Sequence, residues 1–310
     1  MRARRDGVSH LKHFAGFSSI ARTLAVIALA LAIPASAAAS LKDDRGKTID
    51  LTRPASRIVS LAPFITELVY AAGAGERLVA VTAYSDYPPA ARRLPQVGDA
   101  VSLDLEHLIA LKPDLVIAWK SGNRPSDVTR LERLGIPCLV VEAQQLADIA
   151  RLLRLIGDAT GTAEAGKAAS DFERRLDALR ARYRNAPPVR VFFEIWHAPL
   201  MTVSGRHFAS AALAVCGGVN VFGDAPGLTP SVSVESVLAA DPQVIFGGAS
   251  STQEAELSER WRQFSELSAV RDRHIFYVHP DLIQRQTPRI LDGIAQICAD
   301  LDMVRRSAKP

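Results

Sequence analysis

One pattern occurs twice in this chain. Leu105-Glu106-His107-Leu108-Ile109-Ala110-Leu111-Lys112-Pro113-Asp114-Leu115-Val116-Ile117 and Val234-Glu235-Ser236-Val237-Leu238-Ala239-Ala240-Asp241-Pro242-Gln243-Val244-Ile245-Phe246 share a plan: a helix, a turn at proline, then a strand. That unit, present in both halves, restricts the fold to parallel βα units. The neighbouring runs agree. Arg57 to Leu61, Leu78 to Thr82, Leu115 to Trp119 and Pro137 to Glu142 read as strands. Thr66 to Ala72, Leu105 to Leu111 and Val128 to Leu134 read as the helices between them. In the second half, Arg190 to Ile195, Val244 to Gly248 and Ile275 to Val278 read as strands. Thr287-Pro288, a cap followed by proline, opens a helix over Arg289 to Met303.

The segment joining the halves differs in texture. Thr162 to Asn185 holds no proline and one glycine, with apolar residues at Ala165, Ala168, Phe172, Leu176, Leu179 and Tyr183. Arg174, Arg175, Asp177, Arg180 and Arg184 fall on the opposite face. This is one amphipathic helix of about 36 Å, ended by Pro187-Pro188. Such a helix is a stiff strut, whereas a hinged linker would use glycine and serine. The expected fold class is therefore α/β: two Rossmann-like lobes joined by a single long rigid α-helix. The expected divisions are a signal peptide over 1–39, an N-terminal lobe over 40–160, the connecting helix over 161–186 and a C-terminal lobe over 187–310.

The first division rests on a basic stretch (Arg2, Arg4, Arg5, Lys12, Arg22), an apolar run from Leu24 to Ile33, a break at Pro34 and small residues at Ala35-Ser36-Ala37. That is the secretory pattern, and the apolar run of ~10 residues is too short to span a bilayer. The expected location is the periplasm, in soluble form. The chain has 37 basic and 33 acidic residues, and the leader holds five of the basic ones against Asp6 alone. The body is thus electrically balanced, which removes the field a nucleic-acid partner would need. Three cysteines allow three one-bridge pairings. Cys138 lies in the apolar run Ile136 to Val141 and is expected to stay reduced, leaving Cys216 to pair with Cys298. Closing that loop is worth about 4.5 kcal/mol in the chain-entropy description.

Catalytic motifs are missing from the sequence: it has no G-x-S-x-G elbow and no H-E-x-x-H. Gly161 to Ala168 approaches a phosphate loop but puts Ala168 where Ser or Thr must hold magnesium. His107, His197, His207, His274 and His279 are not at metal-ligand spacing. No enzyme activity, cofactor or resident metal is expected. Aromatic residues at strand ends are more informative. Trp119 and Trp196 each close a strand, and the loop Tyr84-Ser85-Asp86-Tyr87-Pro88 follows another. Open α/β sheets bind ligands beyond their carboxyl ends, so two facing lobes would line a cleft with Tyr84, Trp119 and Trp196. Such a wall suits a large, partly apolar planar ligand. Asp104 and Ser233 sit at N-cap positions, which puts Glu106 and Glu235 in the first turns of matched helices. There they either complement the helix dipole or form a matched exposed pair.

Tyr84 to Pro89, Leu111 to Trp119, Cys216 to Phe222 and Pro288-Arg289-Ile290 carry a family resemblance. From Arg57 to Met303 the chain resembles periplasmic substrate-binding proteins of the helical-backbone class, which serve importers of cobalamin, ferric siderophores and haem. It is most similar to the cobalamin-binding branch. The resemblance implies a corrinoid held between two lobes as transported ligand, with little closure on binding. It implies the Cys216–Cys298 disulfide, and docking of Glu106 and Glu235 onto arginines of an ABC transporter permease. It also implies ligand contact by Tyr84 and by the loop Asp281, Leu282, Ile283, Gln284 and Arg285. A monomer with no nucleic-acid partner is expected. The chain departs from that branch in carrying Leu282 and Ile283 where aromatics stand, and Ala100 and Thr229 where tryptophans stand; Trp196 is expected to compensate. The alternatives are a ferric-siderophore or haem binder, for which Arg206, Arg285 and His197 are the relevant residues, and a periplasmic hydrolase.

Overall fold

The computed structural model describes residues 39–99, 102–248 and 254–307. The expected leader, Ala39 apart, and Ala100 lie outside the described residues. A short hairpin of β1 (Ala39–Lys42) and β2 (Thr48–Leu51) precedes the first lobe. That lobe follows with β3 (Ile58–Ser60), α1 (Pro63–Ala71), β4 (Leu78–Val81), α2 (Leu105–Ala110), β5 (Leu115–Trp119), α3 (Pro125–Arg133), β6 (Cys138–Val141) and α4 (Ala147–Thr160). The connecting helix is α5 (Glu164–Tyr183). The second lobe holds β7 (Val189–Glu194), a small hairpin of β8 (Trp196–His197) and β9 (Leu200–Met201), α6 (Phe208–Val215) and β10 (Gly218–Asn220). It continues with α7 (Val234–Ala240), β11 (Val244–Gly247), α8 (Glu254–Arg262), α9 (Ser268–Arg271), β12 (Ile275–Tyr277) and α10 (Ile290–Ser307).

Each lobe is built on a four-stranded parallel sheet, in the orders β4-β3-β5-β6 and β10-β7-β11-β12. Counted within its lobe, each order reads second, first, third, fourth. The repeated sequence pattern is therefore a repeated topology, with α2–β5 and α7–β11 in equivalent places. The equivalence reaches the backbone. Lys112 and Asp241, each just before the proline turn, both take positive φ (48° and 37°). The helices are capped as the sequence indicates, the Asp104 carboxylate accepting from His107 N (2.9 Å) and the Ser233 hydroxyl from Ser236 N (3.2 Å).

Both faces of each sheet are covered, as parallel sheets require. Along β5, Leu115 and Ile117 enter one apolar cluster while Val116 and Ala118 enter another, and the strand reads as a continuous apolar run. The first cluster does not stop at the lobe boundary. It runs from Ile58 and Phe64 through Phe172 and Leu176 of α5 to Phe246 and Ile294. The connecting helix is thus part of both cores. Where α4 turns into α5, a β-carbon at Gly157 would fall 2.5 Å from that of Ala165, so only glycine lets the two helices approach this closely. At the far end, Tyr183 Oη donates to Asp302 Oδ2 (3.0 Å) on α10. A disulfide between Cys216 and Cys298 ties the end of α6 to the same helix. Cys138 is free and buried in β6, and burial pushes its thiol up to about 12. Among the described residues, no helix is long and apolar enough to cross a membrane.

Candidate ligand cleft

In each sheet the chain reverses direction of travel between the first and third strands, and it is beyond the carboxyl ends there that such folds hold ligands. Two cavities lie beyond the strand ends: the smaller at this place in the second lobe, between the ends of β7 and β11, and the larger beyond the ends of β5 and β6 of the first. The larger, of ≈ 770 Å³, is bounded by both lobes: Trp119, Ser121 and Glu142 on one side, Arg206, His207 and Phe208 on the other. The smaller, of ≈ 320 Å³, lies in the second lobe among Glu194, Trp196, Gly247 and Arg260. The segment 280–286 borders both, Pro280 and Gln284 facing the smaller and Gln286 the larger.

Trp119 is held in place by its surroundings. Its backbone N–H donates to Asn123 Oδ1 (2.7 Å), and Asn123 Nδ2 in turn donates to the Leu61 carbonyl (3.0 Å). Its indole N–H donates to Glu142 Oε1 (3.1 Å), and its ring meets Phe64 edge-on at 5.6 Å. A β-carbon at Gly122 would fall 1.8 Å from the indole, so the ring lies directly over that turn. Across the cavity, Arg206 donates to the Gly227 carbonyl (2.9 Å). His207 caps α6, its Nδ1 accepting from Ala209 N (3.1 Å), and burial lowers its pKa, so its ring is neutral at neutral pH.

Trp196 is set differently. It sits on the β8–β9 hairpin, 54% exposed, stacked on His197 at 5.6 Å and donating to the Ala198 carbonyl (3.0 Å). Behind it the buried Glu194 carboxylate accepts from Trp261 Nε1 (2.7 Å) and from Arg260. Trp119 and Trp196 therefore face different cavities. Tyr84 lines neither; it takes positive φ (65°), and its side chain is 77% exposed. The expectation of one wall made by all three aromatics is corrected accordingly: Trp119 ends β5, the third strand of its lobe, whereas Trp196 follows β7, the first strand of the other, on a hairpin of its own.

The 281–285 loop also divides its roles. Ile283 is fully buried in the core, so it does not face the cleft as expected. Leu282 is half-buried, with its carbonyl packed against Gly293, while Gln284 borders the smaller cavity. Arg285 crosses to the first lobe, reaching Glu67 (2.9 Å), Asp86 (2.8 Å) and the Tyr84 carbonyl (3.3 Å); on its own side it meets Asp281 (3.0 Å). Burial opposes the charge of Asp86, but the hydrogen bond and charge of Arg285 outweigh it and hold that carboxyl below its ordinary range. Arg289 adds a second link to Glu67 (3.3 Å) and lies 3.8 Å over the Tyr87 ring. Arg285 is thus part of a seam between lobes. Glu106 and Glu235 are exposed in the first turns of α2 and α7, and hydrogen bonds from its own backbone N–H and from Ser233 lower the pKa of Glu235.

Residues 58–282 match the family described as periplasmic binding protein. The chain belongs to that family. The vitamin B12-binding protein of Vibrio cholerae serotype O1 is 39% identical over 254 residues, which are 82% of this chain and 91% of that protein. The crystal structure of the periplasmic vitamin B12 binding protein of Vibrio cholerae matches with a TM-score of 0.76 at 39% identity, covering 81% of this chain and 98% of that one. A periplasmic haem binding protein from Pseudomonas aeruginosa, 26% identical, matches with a TM-score of 0.70 over 83% of this chain and 95% of its own. The cavity bounded by both lobes is the larger of the two and is the candidate ligand site. Several of its lining residues carried no signal in the sequence. The adjacent pair Gln144 and Gln145 lies far in the chain from Phe208 and from Gln286, and only the facing lobes bring the three segments together.

Proposed function

We propose that this chain is a non-enzymatic binding protein of the periplasm that captures a corrinoid between its lobes and delivers it to the permease of an ABC importer. The carrying observation is the ≈ 770 Å³ cavity bounded by both lobes and walled by a fixed indole at Trp119. A planar macrocycle fits beside a rigid aromatic face, and a preformed wall lowers the ordering cost of binding. The similarity to vitamin B12-binding proteins over 82% of the chain supports the same ligand class. The continuous core through α5 and the Arg285 seam support capture with little lobe movement. In this reading the leader is removed on export and the protein acts as a monomer. Calorimetric titration of the mature chain with cyanocobalamin is expected to give one-to-one binding; a flat titration contradicts the proposal.

Glu106 and Glu235 serve, in this reading, as paired docking points, one per lobe, for cationic side chains of the permease. Exposed charges of this kind act on encounter and register. The double variant Glu106→Arg, Glu235→Arg is expected to abolish transport while leaving cyanocobalamin affinity unchanged. An equal loss of affinity would assign these glutamates to the pocket or the fold.

A further inference from the structure

The larger cavity carries a chemical preference of its own. Its lining holds three primary amides. Gln144 and Gln145 follow β6, with their backbone N–H groups fixed on Asp148 Oδ2 (2.9 and 3.0 Å), and Gln286 faces them from the second lobe. Among the described residues, no hydrogen bond engages the side-chain amide of any of the three. Each amide offers one acceptor oxygen and two donor hydrogens.

The charged groups of the cavity are, by contrast, already engaged and balanced. Glu142 accepts from the Trp119 indole and from Ser121 N (3.0 Å). Arg206 is held on the Gly227 carbonyl, and the imidazole of His207 accepts from the backbone. One carboxylate against one guanidinium leaves the lining without surplus cation. A ligand edged with carboxylates would bring anions beside Glu142 with a single Arg to meet them, and an unpaired carboxylate in a partly dry site is costly. A ligand edged with neutral carboxamides would instead meet groups of its own kind, donor to acceptor in both directions.

We propose that Gln144, Gln145 and Gln286 form an amide rim that selects macrocycles edged with carboxamides over those edged with carboxylates. The inference rests on the corrinoid reading and sharpens it: corrinoids carry acetamide and propionamide arms, whereas haem carries propionates.

The test compares two corrinoids that share ring and metal: dicyanocobinamide, edged with amides, and dicyanocobyrinic acid, edged with carboxylates. Affinities are measured by calorimetry, with haemin as a third ligand. The wild-type protein is expected to bind dicyanocobinamide roughly ten-fold or more tightly than dicyanocobyrinic acid, the equivalent of one or two net hydrogen bonds. The triple variant Gln144→Leu, Gln145→Leu, Gln286→Leu is expected to bring that ratio close to one by weakening dicyanocobinamide, with an unchanged melting temperature. The triple variant Gln144→Lys, Gln145→Lys, Gln286→Lys is expected to reverse the ratio and to strengthen haemin binding. Equal wild-type affinity for the two corrinoids, or a ratio that neither variant moves, overturns the rim and leaves corrinoid binding standing. Failure of the wild-type protein to bind either corrinoid overturns the corrinoid reading itself, and the rim with it.

Discussion

The two lobes share a topology but finish their ligand-facing ends differently. In the first lobe, β5 ends in an indole locked by a glycine turn, an asparagine, a glutamate and a phenylalanine. In the second, the equivalent strand β11 ends at Gly247 with no aromatic, beside a buried Glu194 whose carboxylate is held by Arg260 and Trp261, and the indole of Trp196 sits on an exposed two-strand hairpin after β7. One lobe presents a rigid wall; the other presents an adaptable edge over a second, smaller cavity. The comparison teaches that repeating a βα framework fixes where a site lies, while what it recognises is set by the few residues after each strand.

The cross-link is a second asymmetry. The second lobe carries the disulfide, while the first keeps Cys138 reduced within β6. Replacing Cys216 and Cys298 together by alanine is expected to cost about 4 kcal/mol, because the bond closes a loop with a sequence separation of 82. Chemical denaturation measures this; Cys138→Ala, which removes only a few buried atoms, is expected to cost far less. Equal losses would remove the distinction between the lobes.

The two tryptophans give the next largest contrast. Trp119→Ala is expected to weaken cyanocobalamin binding by about 2–3 kcal/mol, as for a packed aromatic anchor. Trp196→Ala is expected to cost under about 1 kcal/mol, because an exposed ring on a short hairpin loses less contact on truncation. Titration of both variants checks the order, and a larger effect at Trp196 would move the site into the smaller cavity.

The smallest expected effect concerns α10. Burial pushes the Asp300 carboxyl up to about 6, and its Oδ2 has no hydrogen-bond partner among the described residues. A carboxyl whose pKa is raised in the folded state binds its proton more tightly there than in the unfolded chain. Stability therefore rises as pH falls through about 6 toward the ordinary value of 3.8. With allowance for its partial exposure, Asp300→Asn is expected to gain on the order of 1 kcal/mol at neutral pH and little at acid pH. Denaturation midpoints at two pH values check it, and an equal gain at both would exclude the carboxylate as the cause.

Much of the framework was legible because its signals are local. The strand Leu115–Trp119 follows from an unbroken apolar run, and α5 from apolar residues three or four apart. The capped helices α2 and α7 follow from Asp104 and Ser233. The site was legible only where a residue type marks a strand end, as at Trp119. The turn at Gln144 and Gln145, the rim position of Gln286 and the Glu67–Arg285 seam have no periodicity, since each depends on segments far apart in sequence meeting in space. Ile283 shows the converse. A loop read as ligand-facing still needs an apolar side chain to anchor it, and Ile283 fills that role.

The most direct test of the account is the position of the metal in a crystal of the protein grown with cyanocobalamin. Anomalous scattering from cobalt should give a single peak between the lobes, in the cavity walled by Trp119 and Leu228. A peak in the smaller cavity beside Trp196 and Glu194, or on the outer surface, would contradict it.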